Sequence, residues 1–234
     1  MEAFAALLDR LVVTPQRNGK LQLIADYCAA APDPDRGYAI AAITRDLDIP
    51  FVKPAMLRAL VTERVDPVLF ELSYNYVGDL AETISLVWPG TRGANRTPPL
   101  SEVVENLQAA SRQDAPKLVA HYLDTLAPNE RWALIKLATG GLRIGVSARL
   151  AKTALAKFGE VDVTEIEELW HGLAPPYEDL FAWLDGEAEK PVSAALAPFR
   201  PVMLAHPIDE EKDLAGIDPD IFAAEWKWDG IRVQ

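Results

Sequence analysis

The segment IFAAEWKWDGIRVQ, residues 221–234, holds the charged side chains whose spacing suits covalent chemistry. Phe222, Ala224, Trp226 and Trp228 alternate with Ala223, Glu225 and Lys227, as the period-2 geometry of a strand requires. Glu225 and Lys227 therefore share one face of a strand whose other face is apolar and anchored. Asp229-Gly230 is a turn dipeptide, and IRVQ reads as the returning strand. A lysine held in a half-buried site, near another cation, has its pKa lowered from about 10.4 toward neutrality, where the free amine is a nucleophile. Arg232 is a candidate for that cation and for a phosphate or ribose contact, and Gly230 lets the backbone come close to a ligand.

The run E-W-K-W-D-G-I-R resembles motif I, E-x-K-x-D-G-x-R, of the lysine-adenylating nucleotidyltransferases: DNA ligases, RNA ligases and mRNA capping enzymes. At roughly 6% usage per residue type, K-x-D-G alone arises by chance in about 5% of chains this long. All five fixed positions together arise in about one in ten thousand. The resemblance implies that Lys227 attacks the α-phosphorus of ATP, with Mg²⁺ neutralising the phosphates, to give a lysyl-AMP. AMP then passes to the 5′-phosphate of a nick, and the 3′-hydroxyl displaces it. Glu225 would bond adenine or position the lysine, and Arg232 would hold ribose or phosphate.

Motif I does not choose among these enzymes; the preceding residues do. TPQRNGKLQLIADY, VGDLAETI and above all GGLRIGVSARL are similar to segments of the helical DNA-binding domain of ATP-dependent DNA ligases. FRPVMLAHPI is similar to the stretch those ligases carry just ahead of motif I. The implied function is sealing of nicks in duplex DNA, in repair, replication and recombination. A non-catalytic DNA-binding module, and an RNA ligase or capping-type nucleotidyltransferase, are the alternatives.

The elements that must position these residues are helices. Phe4, Leu7, Leu8 and Leu11, then Leu21, Ile24, Ala25 and Cys28, recur at helical spacing. Pro54, Asp66-Pro67, Pro116 and Pro128 with Glu130 are helix starts. Ser147 caps a helix that ends at Gly159, and Thr164 with Glu167 forms a capping-box pattern. Tyr177, Leu180, Phe181 and Leu184 make a last stripe, stopped by Gly186, and Trp88, Trp132, Trp170 and Trp183 read as core. The expected architecture is an all-α DNA-binding domain of roughly ten helices over residues 1–186, a proline-rich linker over 187–219 with a solvated acidic run from Asp209 to Asp213, and the first strands of a nucleotidyltransferase domain over 220–234.

The net charge of -12 argues against nucleic acid until its distribution is considered. From Arg131 to Gly159 the chain carries Arg131, Lys136, Arg143, Arg149, Lys152 and Lys157 and no acidic residue. In GGLRIGVSARL, Gly140, Gly141 and Gly145 free backbone amides, Ser147 opens a helix whose positive end faces a phosphate, and Arg143, Arg149 and Lys152 add charge. Arg92 and Arg96 in WPGTRGANRTPP, and Arg17 with Lys20 in TPQRNGK, are two further acid-free stretches, so one positive face is expected. Gly78 and Asp79 are read as shaping a helix junction.

Half of the 234 residues are apolar, enough for a sizeable core, and no apolar run approaches the roughly 18 residues of a membrane span. A single cysteine, Cys28, fits a reducing cytoplasm, and His121, His171 and His206 are too scattered for a metal site. A monomer is expected. Seven residues follow Lys227 (234 − 227), so a fragment lacking most of the catalytic domain, inactive alone, is expected as well.

Overall fold

Prolines and short polar side chains set where the chain turns helical. Pro54, Pro67, Pro116 and Pro128 each fall in a first helical turn, where the missing N–H costs nothing and φ is already helical. Asp66 accepts from the Leu69 N–H at 2.9 Å, Asp79 from the Glu82 N–H at 2.9 Å and Ser147 from the Leu150 N–H at 3.1 Å, each satisfying an otherwise orphaned donor.

The computed structural model describes residues 1–89, 96–192, 208–209, 211–218 and 220–221. Among these the chain is all-helical: α1 (Glu2–Val13), α2 (Arg17–Ala30), α3 (Asp35–Thr44), α4 (Pro54–Thr62), α5 (Pro67–Val77), α6 (Leu80–Val87), α7 (Leu100–Ala109), α8 (Ala115–Thr125), α9 (Pro128–Ala138), α10 (Ala148–Phe158), α11 (Val163–Trp170) and α12 (Glu178–Leu184), with a 3-10 turn at Leu214–Gly216. The paired strands expected in 220–234 fall on residues 222–234, outside the described residues. None of the described helices is long and apolar enough to cross a membrane.

Among the described residues twelve helices precede residue 186, where about ten were expected. One reason is α3: every residue from Arg36 to Thr44 is buried, so no polar face marks it as amphipathic. A second correction concerns α11. Its N-cap is Asp162, which accepts from the Thr164 N–H at 2.7 Å, because a carboxylate is the better acceptor and the helix starts ahead of Thr164. A third concerns the tryptophans: Trp88 and Trp170 are buried, but Trp132 and Trp183 are half-buried at the edge of the core.

α10 sits centrally, packed on α2, α3, α11 and α12, while α9 packs on α1 and α6. The buried side of α10 is Ala151, Ala154, Leu155 and Ala156, three of them alanines that let α2 lie close. Phe4, Leu8 and Leu11 of α1, Ile24 and Cys28 of α2, Ile40 of α3, Leu134 of α9 and Phe181 of α12 are among the fully enclosed side chains. Their removal from water is the main favourable term for the fold.

Polar ties fix α3 at both ends. Asp35 accepts from the Leu100 and Ser101 N–H groups at 2.9 and 2.8 Å, capping α7 from a distance because its own N-cap, Pro99, has no side-chain acceptor. Arg36 bridges Asp33 at 2.5 Å and Asp185 at 2.6 Å, with its guanidinium 4.4 Å from the Phe181 ring centroid. A Cβ on Gly37 would stand 1.5 Å from the Pro176 carbonyl oxygen, so only glycine permits this approach. At the far end of α3, Asp46 accepts from Thr44 Oγ1 at 2.6 Å, Tyr177 OH at 2.8 Å and Trp170 Nε1 at 3.1 Å.

Candidate nucleic-acid interface

The loop between α9 and α10 takes its shape from alternation. Gly140 adopts a positive φ of 65° after α9, and the Gly141 N–H donates to the Lys136 carbonyl at 2.9 Å, closing the helix end. Leu142 and Ile144 are then buried, at 7% and 3% exposure, so the residues between and after them, Arg143 and Gly145, face solvent. Arg143 is presented outward because its neighbours are anchored inward. Ser147 closes the loop by capping α10.

Arg17 is the first residue of α2, exposed, and its N-cap Gln16 contributes no side-chain cap. Arg45 follows α3 in the left-handed region, φ 68° and ψ 29°, with its N–H donating to the Ala41 and Ala42 carbonyls and its side chain exposed. Such a conformation costs a non-glycine residue roughly 1–2 kcal/mol. The three hydrogen bonds to Asp46 hold this helix exit in place.

These elements converge. Arg17, Arg45, Leu142, Arg143, Gly145, Val146, Ser147 and Leu150 line one shallow hollow of about 530 Å³. Its lining holds three guanidinium groups and no carboxylate. The first turns of α2 and α10 also contain no acidic residue, and each carries an arginine instead, Arg17 and Arg149. A cation at the positive end of a helix is mildly unfavourable by itself, and an external anion relieves it. Planar guanidiniums beside helix N-termini form a surface suited to phosphate oxygens.

Lys20, expected on the positive face, points inward instead. It is 7% exposed, and its ammonium donates to the carbonyls of Ile144 at 2.5 Å and Gly145 at 3.1 Å, beneath the loop. Helical spacing explains the placement, since Lys20 lies on the same side of α2 as the buried Ile24.

The remaining basic candidates are distributed differently. Arg149 is exposed and lies 3.6 Å from Glu167. Lys152 is half-buried over the Trp170 ring, 4.8 Å from its centroid, and burial lowers its pKa against the opposing pull of Glu167 and Asp46. Arg96 is paired with Glu102 at 2.7 Å and lines a separate hollow with Pro98, His121, Tyr122 and Thr125. Gly78, with a φ of 76°, and Asp79 form the junction between α5 and α6, where Asp79 also holds Lys136. Arg92 lies outside the described residues, as do Glu225, Lys227 and Arg232, to which the ATP and Mg²⁺ expectation attaches. Among the described residues no group of three or more His, Cys, Asp or Glu is placed to hold a metal ion.

Arg45 was not singled out by the sequence. It stands between Thr44 and Asp46, and the adjacent acid hides it from any reading of charge along the chain. In space, the Asp46 carboxylate is engaged by Thr44, Trp170 and Tyr177. Comparison with protein-family models finds none that matches the chain, and comparison with curated proteins finds no significant match.

Proposed function

We propose that the helical domain grips the sugar-phosphate backbone of duplex DNA through the Arg17, Arg45 and Arg143 hollow, as the DNA-binding part of an ATP-dependent DNA ligase whose AMP-accepting residue is Lys227. The observation that carries this reading is the convergence of three arginines from separate helix boundaries on one hollow lined by no carboxylate, in a chain of net charge -12. Elsewhere on the described surface Arg64 and Arg96 are paired with Asp124 and Glu102.

The hollow offers guanidinium groups, the capping hydroxyl of Ser147 and helix-terminal amides, all of which bond phosphate oxygens without reading base edges. Recognition is then of backbone shape, the requirement for a protein that acts at nicks of any sequence. The adenylation half of the proposal rests on the motif E-x-K-x-D-G-x-R at residues 225–232.

The test is fluorescence anisotropy of this chain with labelled nicked duplex, intact duplex and duplex RNA over a salt series. Binding to DNA duplex that weakens steeply as salt rises, and exceeds binding to RNA, is the expected result. Absence of binding at low salt, or affinity indifferent to salt, refutes the proposal.

A further inference from the structure

Lys20 is a buried cation with no carboxylate beside it: among the described residues its ammonium meets only the carbonyls of Ile144 and Gly145. Taking an ammonium out of water without a counter-ion is costly, and two neutral acceptors offset only part of that cost. The arrangement nevertheless places the charge directly under the loop that carries Arg143. Gly145 is fitted to it. That residue has a φ of 64°, and a Cβ there would stand 2.4 Å from Lys20 Nζ, so an added methyl group would displace the ammonium.

The consequence lies in which way the loop's backbone faces. With the Ile144 and Gly145 carbonyls drawn inward to the ammonium, the N–H groups of Val146, Ser147 and Ala148 have no acceptor among the described residues. Ser147 Oγ is itself committed to the Leu150 N–H. The two carbonyls, which would repel phosphate, are directed at Lys20, which does not line the hollow, whereas Arg143 does.

We propose that Lys20 is a positioning residue for phosphate binding. It does not touch the nucleic acid; it sets the 140–147 loop in its anion-accepting form and supplies positive potential from below. This inference rests on the proposed DNA-binding function. It reassigns a residue that charge patterning alone would place at the contact surface.

The experiment uses the whole chain and four variants: Lys20→Met, Arg143→Gln, the double replacement of these two, and Gly145→Ala. All are measured for duplex-DNA affinity and thermal midpoint; the parent, Lys20→Met and Gly145→Ala, which keep Arg143, are also measured for the rate of tryptic cleavage after Arg143 relative to cleavage after Arg112. Lys20→Met is expected to weaken binding about tenfold and to speed cleavage after Arg143 severalfold. The double variant should bind no more than about twofold worse than the weaker single one, since residues acting through one element are non-additive. Gly145→Ala, which leaves Lys20 in the sequence but adds the obstructing Cβ, should reproduce both effects.

Two results overturn the inference: Lys20→Met binding within twofold of the parent, or losses that multiply in the double variant as for independent contacts. Weakening by Arg143→Gln without weakening by Lys20→Met removes the positioning role and leaves the DNA-binding proposal standing. A parent chain that fails to bind duplex removes both. Should Lys20→Met fail to fold, Lys20→Gln, which keeps a neutral donor at this position, decides by the same thresholds.

Discussion

Arg45 gives the sharpest test of the proposed interface, because only tertiary structure brings it there. Replacement by Asn removes the charge while tolerating the left-handed backbone, and the exposed side chain makes no ion pair among the described residues, so stability should change by no more than about 0.5 kcal/mol. Each phosphate contact releases counter-ions that contribute about 0.9 to the slope of log affinity against log salt. Between 50 and 200 mM salt, a fourfold change, one contact is therefore worth a factor of about 3.5 in salt sensitivity. Arg45→Asn should lower the slope by about 0.9. The triple replacement of Arg17, Arg45 and Arg143, the three guanidiniums of the hollow, should lower it by about 2.7, a loss of salt sensitivity of about 40-fold over that range. Anisotropy titrations at four or five salt concentrations measure the slope directly. Arg112→Gln, an exposed arginine outside the hollow, is the control and should leave the slope unchanged. An Arg45→Asn slope equal to that of the parent, or an Arg112→Gln effect of the same size, would refute the reasoning.

Other consequences follow from the fold. Gly37→Ala places a Cβ 1.5 Å from the Pro176 carbonyl oxygen and should destabilise the domain by on the order of 3 kcal/mol or more in urea melts; a loss under about 1 kcal/mol would contradict the close approach. Asp79 is pushed up by burial, but the hydrogen bonds from Lys136 and from the Glu82 N–H outweigh this and hold its pKa below the usual carboxylate value. Its contribution to stability is therefore complete above about pH 5 and drains away as pH falls through the lowered native pKa, so Asp79→Asn should flatten the stability profile below about pH 5. An Asp79→Asn profile parallel to that of the parent would count against this linkage. Burial pushes the Cys28 thiol up to about 12, against the opposing Arg36 charge, so the native chain should resist thiol reagents at neutral pH and react once unfolded. Stoichiometric labelling of the native chain would exclude that environment.

Much of the helical architecture was legible because it rests on local rules. Apolar spacing marked α1 and α2, proline and aspartate marked the starts of α4, α5, α8 and α9, and Ser147 marked that of α10. Each involves residues within about four positions of one another, the range over which a helix couples side chains to backbone. α3 escaped that logic, since burial on all sides leaves no periodic contrast. The start of α11 was misplaced because Asp162 and Thr164 are both acceptable caps, and only the folded geometry selects the aspartate.

The site divides in the same way. The sequence by itself determined that an acid-free, glycine-bearing loop carries Arg143 and ends in the helix cap Ser147, because charge distribution and capping chemistry are local properties of the chain. It also determined the motif around Lys227. Only the tertiary structure decided that Arg17, Arg45 and Arg143 share one hollow, that Arg96 and Lys152 are turned to Glu102 and Trp170, and that Lys20 lies beneath the loop. These depend on how α2, α3 and α10 pack, which is set by contacts between residues far apart in the chain, such as the buried bond of Lys20 to Ile144, 124 positions away. A pattern confined to neighbouring residues carries no record of such contacts.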